Sequence, residues 1–137
     1  ARCGGGCGRS CASSTLRVLE GNAMSECLFC KFVRHEIPTQ IVYEDEHAFA
    51  FRDINPQAPV HILVVPRDHV ANLAEMTPQH EALMGHLLWV CAELARREGI
   101  EQEGYRVVAN TNAHAGQSVY HLHLHLLGGR TMGWPPG

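Results

Sequence analysis

Between Tyr120 and Gly128 the sequence reads HLHLHLL, with His121, His123 and His125 on alternate positions and Leu122, Leu124 and Leu126 between them. On an extended chain alternate side chains share a face, so the imidazoles line one side and the leucines the other. Reach excludes one ion held by all three. Positions i and i+2 lie about 7 Å apart and positions i and i+4 about 13 Å apart, whereas metal–nitrogen bonds span only about 2 Å. The three rings must serve separate purposes, and burying them as ordinary core would need three sets of hydrogen-bond partners. A neutral imidazole near pH 7 is both a nucleophile toward phosphorus and a metal ligand. A second reactive group is CLFC at 27–30. A C-x-x-C pair opening a short helix sets two thiolates on one metal, or forms two small core residues. A thioredoxin-type redox pair needs a βαβ context, which the sequence lacks. Backbone amides and histidine can together hold a single phosphate without a basic patch.

The elements that must hold these residues follow from periodicity. A helix is predicted over 78–98: Thr77 suits the N-cap, Pro78 the first turn, and Leu83, Met84, Leu87, Leu88, Cys91, Leu94 and Ala95 form one apolar stripe. Arg96 and Arg97 complement the dipole at its end, and Gly99 stops it. A shorter helix is predicted over 28–34, ending before Pro38. Strands are expected over 40–44, 47–52, 61–66, 105–110 and 119–127, the first two as a hairpin and the last two as an antiparallel pair. An antiparallel sheet with helices on one side is an α+β layout.

The bulk composition narrows the partners. At 137 residues, 45% of them hydrophobic, the chain is sized for one globular domain. A net charge of −3, with Lys31 the lone lysine, argues against an extended nucleic-acid partner while leaving room for a single nucleotide. No apolar run reaches the roughly 18 residues of a membrane span. The first 23 residues are rich in Gly, Ser and Cys and lack a secretory hydrophobic region, so a disordered extension over 1–23, or a mis-set start, is expected ahead of a domain over 24–137 that opens at Met24. Cys3, Cys7 and Cys11 fall in that extension, where Gly-rich chain preorganises no ligands. Cys91 reads as a small core residue, and the expected compartment is reducing and cytoplasmic, without disulfides. His35, His47, His80, His86 and His114 read as surface or loop residues.

The run HLHLHLL fits H-φ-H-φ-H-φ-φ, where φ is apolar, and follows AGQSVY at 115–120. Upstream stands DINPQAPVHILVVPRDHV at 53–70, and the chain closes on GGRTMGWPPG. With these three motifs in order, residues 27–137 resemble the histidine-triad (HIT) superfamily, and the WPPG ending resembles its Hint branch, the nucleoside 5′-phosphoramidate hydrolases. The resemblance implies an α+β fold: a five-stranded antiparallel meander with one long and one short helix, paired into a homodimer with one continuous sheet. It implies hydrolysis of purine nucleoside 5′-phosphoramidates through a nucleotidyl-histidine intermediate, releasing an amine and a nucleoside monophosphate.

Residue by residue, His123 matches the family nucleophile and His125 the histidine that bonds the phosphoryl oxygens. His61 matches the upstream histidine beside the nucleophile, and Ser118 a residue that contacts phosphate or protonates the leaving nitrogen. In the same match Gly116 and Gln117 fall on the phosphate side, where the backbone amides of GQS at 116–118 would donate to phosphate without any lysine, with Asn110 near it. Asp53 matches the ribose-binding carboxylate, while Ile54, Leu28, Phe29, Phe32 and Ile37 fall where the family sandwiches the base. Phe32 and Ile37 also suit an ordinary core. Relatives that carry the two cysteines pair them with the histidine of a P-x-x-H segment and the first triad histidine. Here PRDH supplies His69, so Cys27, Cys30, His69 and His121 are the implied ligands of a structural zinc. Two other readings stand beside this one: cleavage of dinucleoside polyphosphates, and a nucleotide-binding interaction module with incidental turnover.

Overall fold

Two runs, AFAFR and VHILVVP, are buried on both alternations, and a strand of that kind must be covered on both faces. They form β2 (Ala48–Arg52) and β3 (Val60–Pro66) in the computed structural model, which describes residues 27–137. The expected extension over 1–23, with its three cysteines and the opening at Met24, lies outside the described residues. β1 (Ile41–Glu44) borders β2, and β3 pairs with β5 (Leu124–Gly128), which pairs with β4 (Tyr105–Val108). Every pairing is antiparallel, in the order β1-β2-β3-β5-β4. The last two strands therefore exchange places relative to a sequential meander. The long helix carries the chain to the far edge, and β5 returns to fill the gap.

On one face Ala48, Ala50, Ile62, Val64, Leu124 and Leu126 pack against Leu87, Val90, Cys91 and Leu94 of the long helix. That helix, α2, spans Glu81–Arg97. On the other face Phe49, Phe51, Leu63 and Val65 pack against Phe29, Cys30 and Val33 of α1 (Leu28–Val33). The helices thus lie on opposite faces, which corrects the one-sided layout expected from the sequence. The second apolar alternation of β2 and β3 is the reason.

The predicted helix over 78–98 begins as a 3-10 turn, Pro78–His80, closed by a reciprocal capping box between Thr77 and His80. At its far end Gly99 adopts φ +73°. The amides of Gly99 and Ile100 donate to the Arg96 and Ala95 carbonyls at 3.2 and 3.1 Å, a Schellman closure that tucks Ile100 into the core. A Cβ on Gly128 would stand 2.5 Å from Ile100 Cδ1, so β5 ends on glycine where this closure packs.

The strand predicted over 119–127 begins only at Leu124. Continuing the β3–β5 register would set Leu122 against Pro66, which has no N–H, and β3 ends there. Instead the Leu122 amide donates to the Val70 carbonyl at 2.6 Å. His121, in a bend, and His123 therefore sit outside the ladder, and of the three only His125 lies in a strand. The alternation survives, because Leu122 still packs with Leu124 and Leu126 on the α2 face.

Candidate active site

The three imidazoles face three different partners. His121 is fully buried, and its Nε2–H donates to the Pro66 carbonyl at 2.8 Å. That bond leaves the Nδ1 lone pair toward the sulfurs of Cys27 and Cys30, each 3.4 Å away. His69 Nδ1 lies 3.3 Å from the Cys30 sulfur. The four donor atoms, two sulfurs and two imidazole nitrogens, all fall within 4.8 Å of one another. A tetrahedral ion with ordinary metal–sulfur and metal–nitrogen bonds separates sulfur from nitrogen by about 3.6 Å, so the spacing fits.

The electrostatics fit as well. Burial pushes His121 down to about 4 against the pull of the Pro66 carbonyl, and burial also lowers His69, so both rings are neutral at pH 7. Burial, with Cys27 beside it, holds the Cys30 thiol up to about 11, so its ionisation at neutral pH needs a cation within reach. Cys27 stands at the N-cap of α1 with no capping bond on its side chain. These four residues could hold a metal ion. Cys91, by contrast, is buried among the α2 contacts as a core residue.

His123 is tied by its backbone neighbour: Nδ1–H donates to the His121 carbonyl at 2.7 Å. The edge of the Phe29 and His123 rings meet at 89°, centroids 5.0 Å apart, which fixes the plane of the imidazole. Its second nitrogen, Nε2, is thereby left with the lone pair. Burial lowers its pKa, although the His121 carbonyl and Asp53 oppose the shift, so the neutral nucleophilic form prevails at pH 7. The His125 ring lies 4.9 Å from it, centroid to centroid. Burial first, then His123 and His61, push His125 down to about 4.

His123 and His125 open onto a cleft of about 330 Å³. Leu28, Phe29 and Phe32 of α1 form one wall, and Asp53 and Ile54 stand at the end of β2. Ser118 and Val119 come from the loop before the triad. The sequence expectation thus brings together His123, His125, Ser118, Asp53, Ile54, Leu28, Phe29 and Phe32. Thr39, Phe51, Arg52, Leu63 and Val119 also line the cleft and were missed. Phe51 and Leu63 were legible, since they face each other across β2 and β3 on the alternation that carries His61. Arg52, bonded to Glu98 at 2.8 Å, and Thr39 carry no such signal.

Other expected residues fall elsewhere. Ile37 and Asn110 are half-buried and do not line the cleft. His61 stands behind the wall, bonded to His125. Gln117 is a loop staple: its side-chain oxygen accepts from Asn72 Nδ2 and the Asn112 amide, and its nitrogen donates to the Ala71 and Val119 carbonyls. The Gly116 and Gln117 amides are committed to the carbonyls of Ala113 and Asn112. The GQS phosphate cradle expected from the sequence is therefore reduced to Ser118. A larger groove of about 540 Å³ lies beside β4, among Gly104, Tyr105, Arg106, Gly129 and Arg130, and carries no imidazole or thiol.

Comparison with known proteins agrees with this geometry. A model of the HIT domain family matches residues 34–132. The purine nucleoside phosphoramidase of Escherichia coli is 49% identical over 108 residues, covering 79% of this chain and 91% of that protein. A 14 kDa zinc-binding protein of Zea mays is 52% identical over 115 residues, covering 82% and 89%. Among solved structures, a HIT family hydrolase from Legionella pneumophila superposes with a TM-score of 0.80 at 50% identity, covering 81% of this chain and 99% of that one.

Proposed function

The chain belongs to the HIT domain family, and from that premise we propose that it hydrolyses purine nucleoside 5′-phosphoramidates through a nucleotidyl-His123 intermediate. The observation that carries this reading is the bond from His123 Nδ1–H to the His121 carbonyl, which leaves the Nε2 lone pair free for phosphorus. That nitrogen attacks the α-phosphorus, the P–N bond to the amine breaks, and Ser118 at the cleft rim passes a proton to the departing nitrogen. His125 donates to the phosphoryl oxygens as charge develops there. Water then attacks phosphorus and returns a proton to Ser118, the bond to His123 breaks, and nucleoside monophosphate leaves. Asp53 accepts the ribose hydroxyls, and Leu28, Phe29, Phe32 and Ile54 enclose the base.

In the same reading Cys27, Cys30, His69 and His121 hold zinc. When bound, the ion supplies a structural tie between α1 and the triad segment, not a reacting group. The chain acts as a homodimer, supported by Leu88 and Trp89, about half exposed on α2, and by the outer edge of β4, unpaired among the described residues. A reducing compartment such as the cytoplasm suits its free thiols.

The test compares wild type with His123→Ala on a fluorogenic adenosine phosphoramidate. A loss of about 10³-fold or more in kcat, with nucleotide binding retained, is expected. Rapid quench with labelled substrate should trap label on the wild-type chain. Turnover by the variant at the wild-type rate would defeat the nucleophile assignment, and faster turnover of a diadenosine polyphosphate would defeat the substrate assignment.

A further inference from the structure

Behind the cleft wall a chain of hydrogen bonds runs through two rings. The backbone N–H of Gln57 donates to His61 Nδ1 at 3.0 Å. An amide proton can only be given, so His61 presents a lone pair at Nδ1. The ring is 5% exposed, and burial depresses its basicity against the opposing pull of Asp53, which keeps it neutral at pH 7. A neutral imidazole carries one ring proton, and here it must be on Nε2. That nitrogen lies 2.9 Å from His125 Nδ1 and 3.5 Å from Asp53 Oδ2, so the shorter contact takes the proton. His125 Nδ1 therefore accepts, and the proton of the neutral His125 ring is on Nε2.

We propose that the Gln57 amide and His61 together set the tautomer of His125, so that His125 turns an N–H and not a lone pair toward the cleft. The inference rests on the cleft being a phosphoryl-transfer site, where an N–H meets a phosphoryl oxygen and a lone pair would repel it. His61 is then a positioning residue that acts only through His125. The opposite arrangement would set His61 Nδ1–H against the Gln57 N–H, two donors 3.0 Å apart.

The same logic accounts for a second donor cluster. Asp53, His61 and His125 also bring their donor atoms within 4.8 Å of one another, the composition of a two-imidazole, one-carboxylate cation site. A cation there would need lone pairs on both His61 Nε2 and His125 Nδ1, and hence a proton on His61 Nδ1 facing the amide. The shared proton therefore opposes a cation at this cluster and leaves His125 Nε2–H toward the cleft.

Two-bond proton–nitrogen correlation on the full chain, with the histidines labelled with nitrogen-15, reads both tautomers near pH 7. The expected wild-type spectrum shows His61 and His125 protonated at Nε2 alone. His61→Phe removes the donor and should shift the His125 proton toward Nδ1, with a drop of about tenfold or more in kcat at nearly constant affinity for adenosine monophosphate. His61→Gln, whose amide still donates toward His125, should restore both the Nε2–H signature and most of kcat. Gln57→Pro, which lacks the amide proton, should mix the tautomers of both rings. A wild-type His125 protonated at Nδ1, or a His125 tautomer indifferent to His61→Phe, would overturn the proposal, and the first needs no variant to fold. Correct tautomers in a chain that leaves phosphoramidates intact would instead overturn the function above.

Discussion

The carbonyl of His121 receives the Nδ1–H of His123 at 2.7 Å, so one residue belongs to both clusters of the site. Its side chain faces the cysteines, and its backbone aims the next imidazole along the cleft. Disturbing the thiols should therefore reach the chemistry. Under the proposed zinc assignment, plasma emission should find one zinc per wild-type chain and none in Cys30→Ala, with kcat lowered about tenfold or more in a chain that remains folded. A zinc-free, folded variant with undiminished kcat would sever this link.

Gln117 holds the loop before the triad through four side-chain hydrogen bonds and is 8% exposed. Gln117→Ala leaves the Ala71 and Val119 carbonyls and the Asn112 amide short of a partner, at a cost of about 1–3 kcal/mol. Urea denaturation should show that loss, and hydrogen exchange should quicken over residues 109–120. A residue that merely touched phosphate would weaken nucleotide binding and leave both measurements where they were.

Asp45 joins the β1–β2 turn to α2. Burial opposes its ionisation, but the Tyr43 hydroxyl, the His47 and Ala48 amides and His86 outweigh that and hold the carboxyl well below its usual range. The folded value lies under the unfolded one of about 3.9. Its contribution is thus complete above that pH and fades as the pH falls through the folded value. Asp45→Asn should cost about 1–3 kcal/mol at pH 6, with the gap to wild type narrowing below about pH 4. Denaturation curves across pH 2.5–7 would check this; a gap that widened in acid would contradict the sign.

The two faces of the sheet should separate in mutagenesis. Leu94 is 1% exposed among the α2 contacts, and Leu94→Ala should cost about 2–5 kcal/mol while the folded fraction keeps its kcat. Leu28 is 42% exposed at the cleft, and Leu28→Ala should raise KM for a purine substrate while stability moves by less than about 0.5 kcal/mol. Thermal melts paired with steady-state kinetics distinguish the two patterns.

Periodicity was a sound guide wherever one face was apolar. α2 with its Thr77 start and Gly99 stop, and the hairpin of β1 and β2, all follow from it. It misled at 119–123, where alternation alone cannot tell a paired strand from bent, unpaired chain held by Val70 and Pro66. Strand order was hidden as well, because local pattern says nothing about which edge a crossover reaches. In the site, the resemblance named His123, His125, Asp53 and the four candidate metal ligands; the structure sets the first three at one cleft and the four donor atoms within 4.8 Å of one another. The roles of Gln117 and of the 116–118 amides were out of reach, since they depend on contacts from Ala71, Asn72 and Asn112 that no spacing reveals. Arg52 and Thr39 entered the lining for the same reason.

A sheet covered on both sides divides its obligations. In the function proposed, the layer under α2 answers for folding alone, and the layer under α1, whose Phe29, Phe51 and Leu63 also wall the cleft, for recognition as well. Drift or deliberate redesign can therefore rework selectivity at positions such as Leu28 and Ile54 without renegotiating the scaffold. Descendants of one architecture are free to diverge in diet while keeping the same skeleton.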